Sequence, residues 1–305
     1  RHGKSDKRRI AMIYSIENKV LKIAVDTSGA QLQSVYSKKT DTEYLWQGDP
    51  SYWSGRAYNL FPTIGRMYKN TYTYEGQEYS ILPHGIARYR AFKLAERSAT
   101  KLVFRLTDDV DSLKQYPFHF VFTICYEIRG SRLNISYQVE NTDEKSLLFG
   151  LGGHPGFNIP FGKTGAFEDY YLEFAEKTKV LFHPLSENKF MTGEKFPLPL
   201  TDGTVLPLSH DLFDNDAVIL GNTCRRVALK SKTDSRYISF DYPGFRYLGV
   251  WHTPETDAPY VCLEPWSILP ATDGIITNLE TKEDMNKLAP GKTYETVWGF
   301  EIHED

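Results

Sequence analysis

FHFVFTICYEIRGSRLNISYQVE, residues 118–140, decides the fold class. Phe118, Phe120, Phe122, Ile124, Tyr126 and Ile128 recur at every second position. After Gly130-Ser131 the alternation restarts, with Leu133, Ile135, Tyr137 and Val139 set against Asn134, Ser136, Gln138 and Glu140. Side chains of a strand point to opposite faces in turn, so period two marks a strand with one buried face. Two such runs around a short polar turn predict a long β-hairpin.

The same patterning extends outward. NTYTYEGQEYSIL (70–82) repeats the hairpin device around Glu75-Gly76. KVLKIAVDTSGAQLQSVYS (19–37), RRVALKS (225–231), RYISFDYPGFRYLGVW (236–251) and TYETVWGFEI (293–302) supply further strands. The 20 Tyr and 18 Phe suit strands as well. Helix signals are sparse. TKEDMNKLAPG (281–291) is expected to be helical, with Thr281 as cap, acidic residues in the first turn and Pro-Gly at the exit. No glycine-rich loop follows a strand and opens a helix, which argues against a nucleotide fold. The expected fold is all-β: one large antiparallel β-sandwich over 12–305 with few short helices and long loops, where a site would sit.

A chain of 305 residues can bury a sizeable core without staples. Its net charge of −3 offers no basic field for nucleic acid or an anionic membrane. Residues 1–11, with the basic run RHGKSDKRR at 1–9, are expected to form a disordered or appended end. Cys125, Cys224 and Cys262 are odd in number and widely spaced, unlike a disulfide framework or a zinc knuckle. Buried thiols in the cytoplasm are expected. No apolar run approaches the ~18 residues that span a bilayer.

Chemistry concentrates in a few stretches. FGLGGHPGFNIP (149–160) sets His154 among glycines and prolines, which cost conformational entropy and a backbone donor. Such a stretch builds a particular backbone shape; a plain turn in which His154 caps a backbone group is the alternative. His84 lies between Pro83 and Gly85. His119 falls opposite an apolar face, and His183, His210 and His252 lie in polar or proline-flanked loops; none is assigned a role. No His-x-His or His-x-x-x-His pair occurs, so no metal site is expected. In YVCLEPWSILP (260–270) an apolar run ends on Glu264, and Pro265 holds it extended. Desolvation beside Trp266 would raise the pKa of Glu264 towards the range useful for proton transfer, unless it simply pairs with an arginine. NLFPTIGRM (59–67) presents Arg66, a fork of donors for hydroxyls or carboxylates. LFDNDAVIL (212–220) places Asp214 and Asp216 before an apolar run, a pattern that ordinary turns also use.

In order, N-L-F-P-x-I-G-R (59–66), P-H-G-x-A-R (83–88), G-x-H-P-x-F (152–157), the acidic loop before 217 and L-E-P-W-S (263–267) resemble the aldose 1-epimerase (galactose mutarotase) family, in its LacX-like bacterial branch. The resemblance runs from about residue 15 to 302. It implies a galactose-mutarotase-type β-sandwich, no metal or organic cofactor, and exchange of the α and β anomers of a free aldohexose by ring opening and closure. Glu264 falls on the catalytic base and His154 on the acid. Arg66 and His84 fall on residues that hold the sugar, as does Asp216, with Asp214 its rival. Trp266 would pack on a sugar face. His84, His154, Arg66 and Glu264 are expected to meet in one cleft, each from a loop or strand end. Three other readings compete: a sugar-binding module without turnover, a glycoside hydrolase using Glu264 with Asp216, and a hexose-6-phosphate 1-epimerase using Arg56, Arg88 or Arg90.

Overall fold

The computed structural model describes residues 11–304. The expected disordered end over 1–11 lies, except for Ala11, outside the described residues. Two broad antiparallel sheets dominate. The hairpin of the sequence reading is the strand pair Phe120–Arg129 and Arg132–Asn141, joined through Gly130-Ser131 with Phe122 opposite Val139 and Ile124 opposite Tyr137. It sits inside a nine-stranded sheet, flanked by Lys101–Thr107 and by Thr293–His303. Its alternating apolar residues are all buried, as period two requires.

A seven-stranded sheet packs against it. In spatial order its strands are Phe196–Pro197, Leu181–His183, Val218–Gly221, Tyr247–Trp251, Tyr260–Trp266, Gly152–Asn158 and Ala57–Leu60. One face supplies the core. Phe157 meets Phe300 of the larger sheet at 5.0 Å, and Phe61, just past the edge strand, stacks on Phe122 at 4.9 Å. Buried Asn59 bridges the layers, giving its amide N–H to Tyr126 Oη (3.0 Å) and accepting from Tyr137 Oη (2.7 Å). The other face, one residue out of phase along each strand, is free to carry a site. Smaller sheets complete the structure: a four-stranded one beginning at Ile13–Glu17, a two-stranded one, and a three-stranded one in which Thr277–Asn278 runs parallel to Thr71–Tyr74.

Two local expectations change. Residues 281–291 are not helical: Asn286–Leu288 is a short strand paired with Leu147–Phe149. Burial of Leu288 in that pairing and of Met285 just before it, with the Asp284 carboxylate accepting from Leu269 N–H, outweighs the local capping signal. Among the described residues the α-helix is instead Val110–Gln115, begun by a reciprocal cap in which Asp109 accepts from Asp111 and Ser112 N–H while Ser112 Oγ accepts from Asp109 N–H.

Candidate active site

His154 lies in the middle of the strand Gly152–Asn158 and Glu264 within Tyr260–Trp266, so neither sits at the loop or strand end expected for them. The glycines beside His154 permit packing, not a turn. A β-carbon at Gly153 would lie 2.5 Å from Trp298 Cζ2, and one at Gly152 would lie 2.8 Å from the Pro265 carbonyl. Only a chain without side chains there lets the His154 strand bed between the larger sheet and its neighbour.

Register brings the functional groups together. Gly152 pairs with Trp266 and Gly156 with Cys262, which sets His154 across from Glu264. Tyr58 pairs with His154 on one side, and Gly249 with Glu264 on the other, followed by Ile219. One transverse row of the free face therefore reads Tyr58, His154, Glu264, Gly249, Ile219. Gly249 leaves room for the Trp266 ring, which would lie 2.8 Å from a β-carbon at that position.

The row floors a cleft of about 280 Å³, at the small end for ligand sites and the size for one monosaccharide. Arg66, His84, Asp216 and Trp266 line it too. His154 Nε2 stands 3.3 Å from Glu264 Oε1, with the two residues only 6% and 1% exposed. The second carboxylate oxygen accepts the Trp266 indole N–H at 3.2 Å. Burial, reinforced by the Asp216 charge and opposed by the indole, raises the Glu264 pKa well above the usual carboxylate value. Burial first, then the Arg88 charge, lowers that of His154 to about 3. In the free protein the pair thus favours a protonated Glu264 beside a neutral imidazole.

His84 holds a left-handed backbone (φ 67°), donates its N–H to Gly65 O at 2.9 Å, and accepts Gly65 N–H on Nδ1 at 3.2 Å. Burial, with the nearby charges of His154 and the arginines, lowers its pKa well below the usual value. Neutral His84 with Nδ1 accepting carries its proton on Nε2, which leaves a donor for a ligand oxygen. Asp216 accepts from Arg66 Nη1 at 2.8 Å across the cleft mouth. Its rival Asp214, at the end of the 3₁₀ turn His210–Phe213, is not among the lining residues.

Trp266 has a different task from the one expected. It is 3% exposed and orients Glu264, so it offers no open ring face. The aromatic walls are Trp53, Tyr58 and Trp251, whose rings stand 4.8, 5.9 and 5.5 Å from that of His154. Sequence reasoning missed them because each looks like any other strand or loop aromatic; the Tyr58–His154 and Gly249–Glu264 registers are what select them. Arg88 lines the cleft with its guanidinium 3.6 Å above the Tyr58 ring, whereas Arg56 bonds Gln33 and Gln47 and Arg90 pairs with Asp109. His119 pairs with Asp108 at the surface, and His210 Nδ1 donates to His252 Nε2 at 3.0 Å, away from the cleft.

The backbone architecture is shared with solved structures of galactose-mutarotase-like proteins. A galactose mutarotase related enzyme from Lactobacillus acidophilus matches with a TM-score of 0.89 and 33% identity, covering 96% of this chain and 98% of that one. A galactose mutarotase-like protein from Lactobacillus casei ATCC 334 gives 0.91 and 31%, covering 96% and 100%. The family model described as aldose 1-epimerase matches residues 12–294, and the chain belongs to that family. Among its relatives is the plasmid-encoded protein LacX of Lactococcus lactis subsp. lactis, 31% identical over 299 residues, covering 95% of this chain and 99% of LacX.

Proposed function

We propose that the protein is an aldose 1-epimerase that interconverts the α and β anomers of a free aldohexose. The observation that carries the reading is the His154–Glu264 contact at the floor of a monosaccharide-sized cleft. Anomer exchange needs one base to take the C1 hydroxyl proton and one acid to protonate the ring oxygen; the C1–C2 bond then rotates and the ring recloses on the other carbonyl face. A pair sharing one proton supplies both. Sugar hydroxyls donating to Glu264 favour its ionised form, so the proton passes to His154 on binding and the carboxylate becomes the base. His84 Nε2–H and the Arg66–Asp216 pair hold sugar hydroxyls, while Trp53, Tyr58 and Trp251 cover C–H surface. Free Cys125, Cys224 and Cys262 fit action in the cytoplasm, and no described helix is long and apolar enough to cross a membrane.

Polarimetry with freshly dissolved α-D-galactose and α-D-glucose tests this. Enzyme should speed the approach to rotational equilibrium. Saturable sugar binding with no acceleration would make the protein a carbohydrate-binding module instead. One observation favours a second reading: Arg88 lines the cleft without a carboxylate partner among the described residues, and Lys189 contributes a second cation elsewhere on the same lining. These cations suit a hexose 6-phosphate. A kcat/KM at least about tenfold higher for the 6-phosphate, lost in Arg88→Ala, would select it.

A further inference from the structure

Cys262 has no part in the proton transfers described above, yet it lies beside them on the same sheet face. It precedes Glu264 by two residues on the strand Tyr260–Trp266, so both side chains leave the same face. His154 joins them from the adjoining antiparallel strand. An imidazole nitrogen, the thiol sulfur and a carboxylate oxygen lie within 4.8 Å of one another, and all three residues are buried. His154 Nδ1 is itself buried without a hydrogen-bond partner. Two ligands at i and i+2 on one strand and a third directly across form a three-ligand set, of which His154 and Glu264 line the cleft and Cys262 lies buried beside them. Tetrahedral zinc, with bonds of about 2.0–2.3 Å, holds its ligand atoms roughly 3.3–3.8 Å apart, a contraction that small side-chain rotations achieve. The thiolate–imidazole–carboxylate set suits Zn²⁺ or Cd²⁺ and is too soft for Mg²⁺ or Ca²⁺.

We propose that His154, Cys262 and Glu264 form a three-ligand site for Zn²⁺ whose occupation switches the enzyme off. The inhibitory part rests on the reading of His154 and Glu264 as the acid–base pair. On binding, the thiol proton and any proton on Glu264 pass to solvent, and the sulfur, nitrogen and oxygen lone pairs bind the metal. Neither member of the pair can then carry a proton to the sugar, and sugar and metal compete for one floor.

The test titrates metal-free protein with Cd²⁺, following the ultraviolet thiolate-to-cadmium band, and with Zn²⁺ by calorimetry. The expected result is one equivalent bound, a band in the wild type, its reversal by Zn²⁺, and weakening by saturating galactose. Cys262→Ser should lose the band, bind at least about tenfold more weakly, and keep an anomerisation rate that Zn²⁺ no longer suppresses. Circular dichroism checks its folding; if it misfolds, galactose competition against the wild-type band decides alone. No band, an unchanged band in a folded Cys262→Ser, equal binding of Mg²⁺, or full turnover in saturating Zn²⁺ would overturn the proposal. A Cys262-dependent band in a protein that never anomerises sugars would keep the metal site and sink the acid–base reading.

Discussion

Glu264 sits where ionisation is costly, and this couples its chemistry to the stability of the fold. Below about pH 4.5 the carboxyl is protonated in both folded and unfolded chains. As pH rises further the unfolded chain ionises while the folded one resists, so the folded state loses about 1.4 kcal/mol per unit of pKa elevation until Glu264 itself ionises. Glu264→Gln reproduces the protonated form, donating to His154 Nε2 and accepting from Trp266. The variant should lose about 10²–10⁴-fold in kcat, while its melting temperature relative to wild type climbs from about pH 5 to pH 8. Paired polarimetry and thermal melts would show this; a melting difference that does not vary with pH would contradict the buried-acid account. His154 has the opposite sign. Its lowered pKa costs stability as pH falls below about 6.5.

The pH–rate profile belongs to the pair. From the residue types alone, the acid limb would report Glu264 gaining a proton and the alkaline limb His154 losing one. The contact reassigns both limbs: activity ends at low pH when the pair takes a second proton, on His154, and at high pH when Glu264 gives up the shared one. Trp266→Phe removes the hydrogen bond that lowers the Glu264 pKa. It should move the alkaline limb of kcat/KM upward and cost about two- to tenfold in kcat. An unchanged limb would show that the indole does not tune the carboxylate.

At the scale of the element, the His154 strand is where sequence and structure part most instructively. His154 and Glu264 were legible because a histidine set in glycines and a glutamate closing an apolar run are both conspicuous. The strand itself was not, because Gly-Gly-His-Pro-Gly-Phe-Asn carries no hydrophobic period; its pattern is set by what presses on it from other strands. The helix expected at 281–291 failed for the related reason that Leu147–Phe149, distant in sequence, competes for the same backbone. The hairpin at 120–141 was fully legible, since its period and its turn are both local. Gly153→Ala tests the steric account. The added methyl must displace Trp298, and overpacking of this kind costs about 1–3 kcal/mol. Denaturant unfolding should show a lower midpoint with an unchanged slope; an unaltered midpoint would mean that the sheets yield freely at this contact.

Across the whole molecule, the sheet-on-sheet architecture was readable from alternation, but the assembly of the cleft was not. Arg66 follows the edge strand Ala57–Leu60, whereas Asp216 precedes Val218–Gly221 on the far side of the Glu264 strand. Their contact ties the two sides of the cleft mouth together. Arg66 is half exposed, so the pair adds only about 0–1 kcal/mol to stability. Under the proposed function its larger effect falls on sugar held between the two loops, and the Asp216 charge also raises the pKa of Glu264. Asp216→Asn should therefore leave the melting temperature nearly unchanged, raise KM about 10–100-fold, and draw the alkaline limb downward. A large drop in melting temperature with KM unaltered would recast the pair as a structural clasp.

Three of the chain's five tryptophans, Trp53, Trp251 and Trp266, line the cleft, while Trp46 and Trp298 are outside its lining. The protein thereby carries its own optical reporter. Sugar entering the cleft would displace water from the partly exposed indoles of Trp53 and Trp251, so emission should shift in colour and intensity on titration with galactose over a steadier background from the buried Trp266, Trp46 and Trp298. Because the signal arises on binding and not on turnover, it remains readable in variants that cannot anomerise sugars, and separates occupancy of the cleft from chemistry within it.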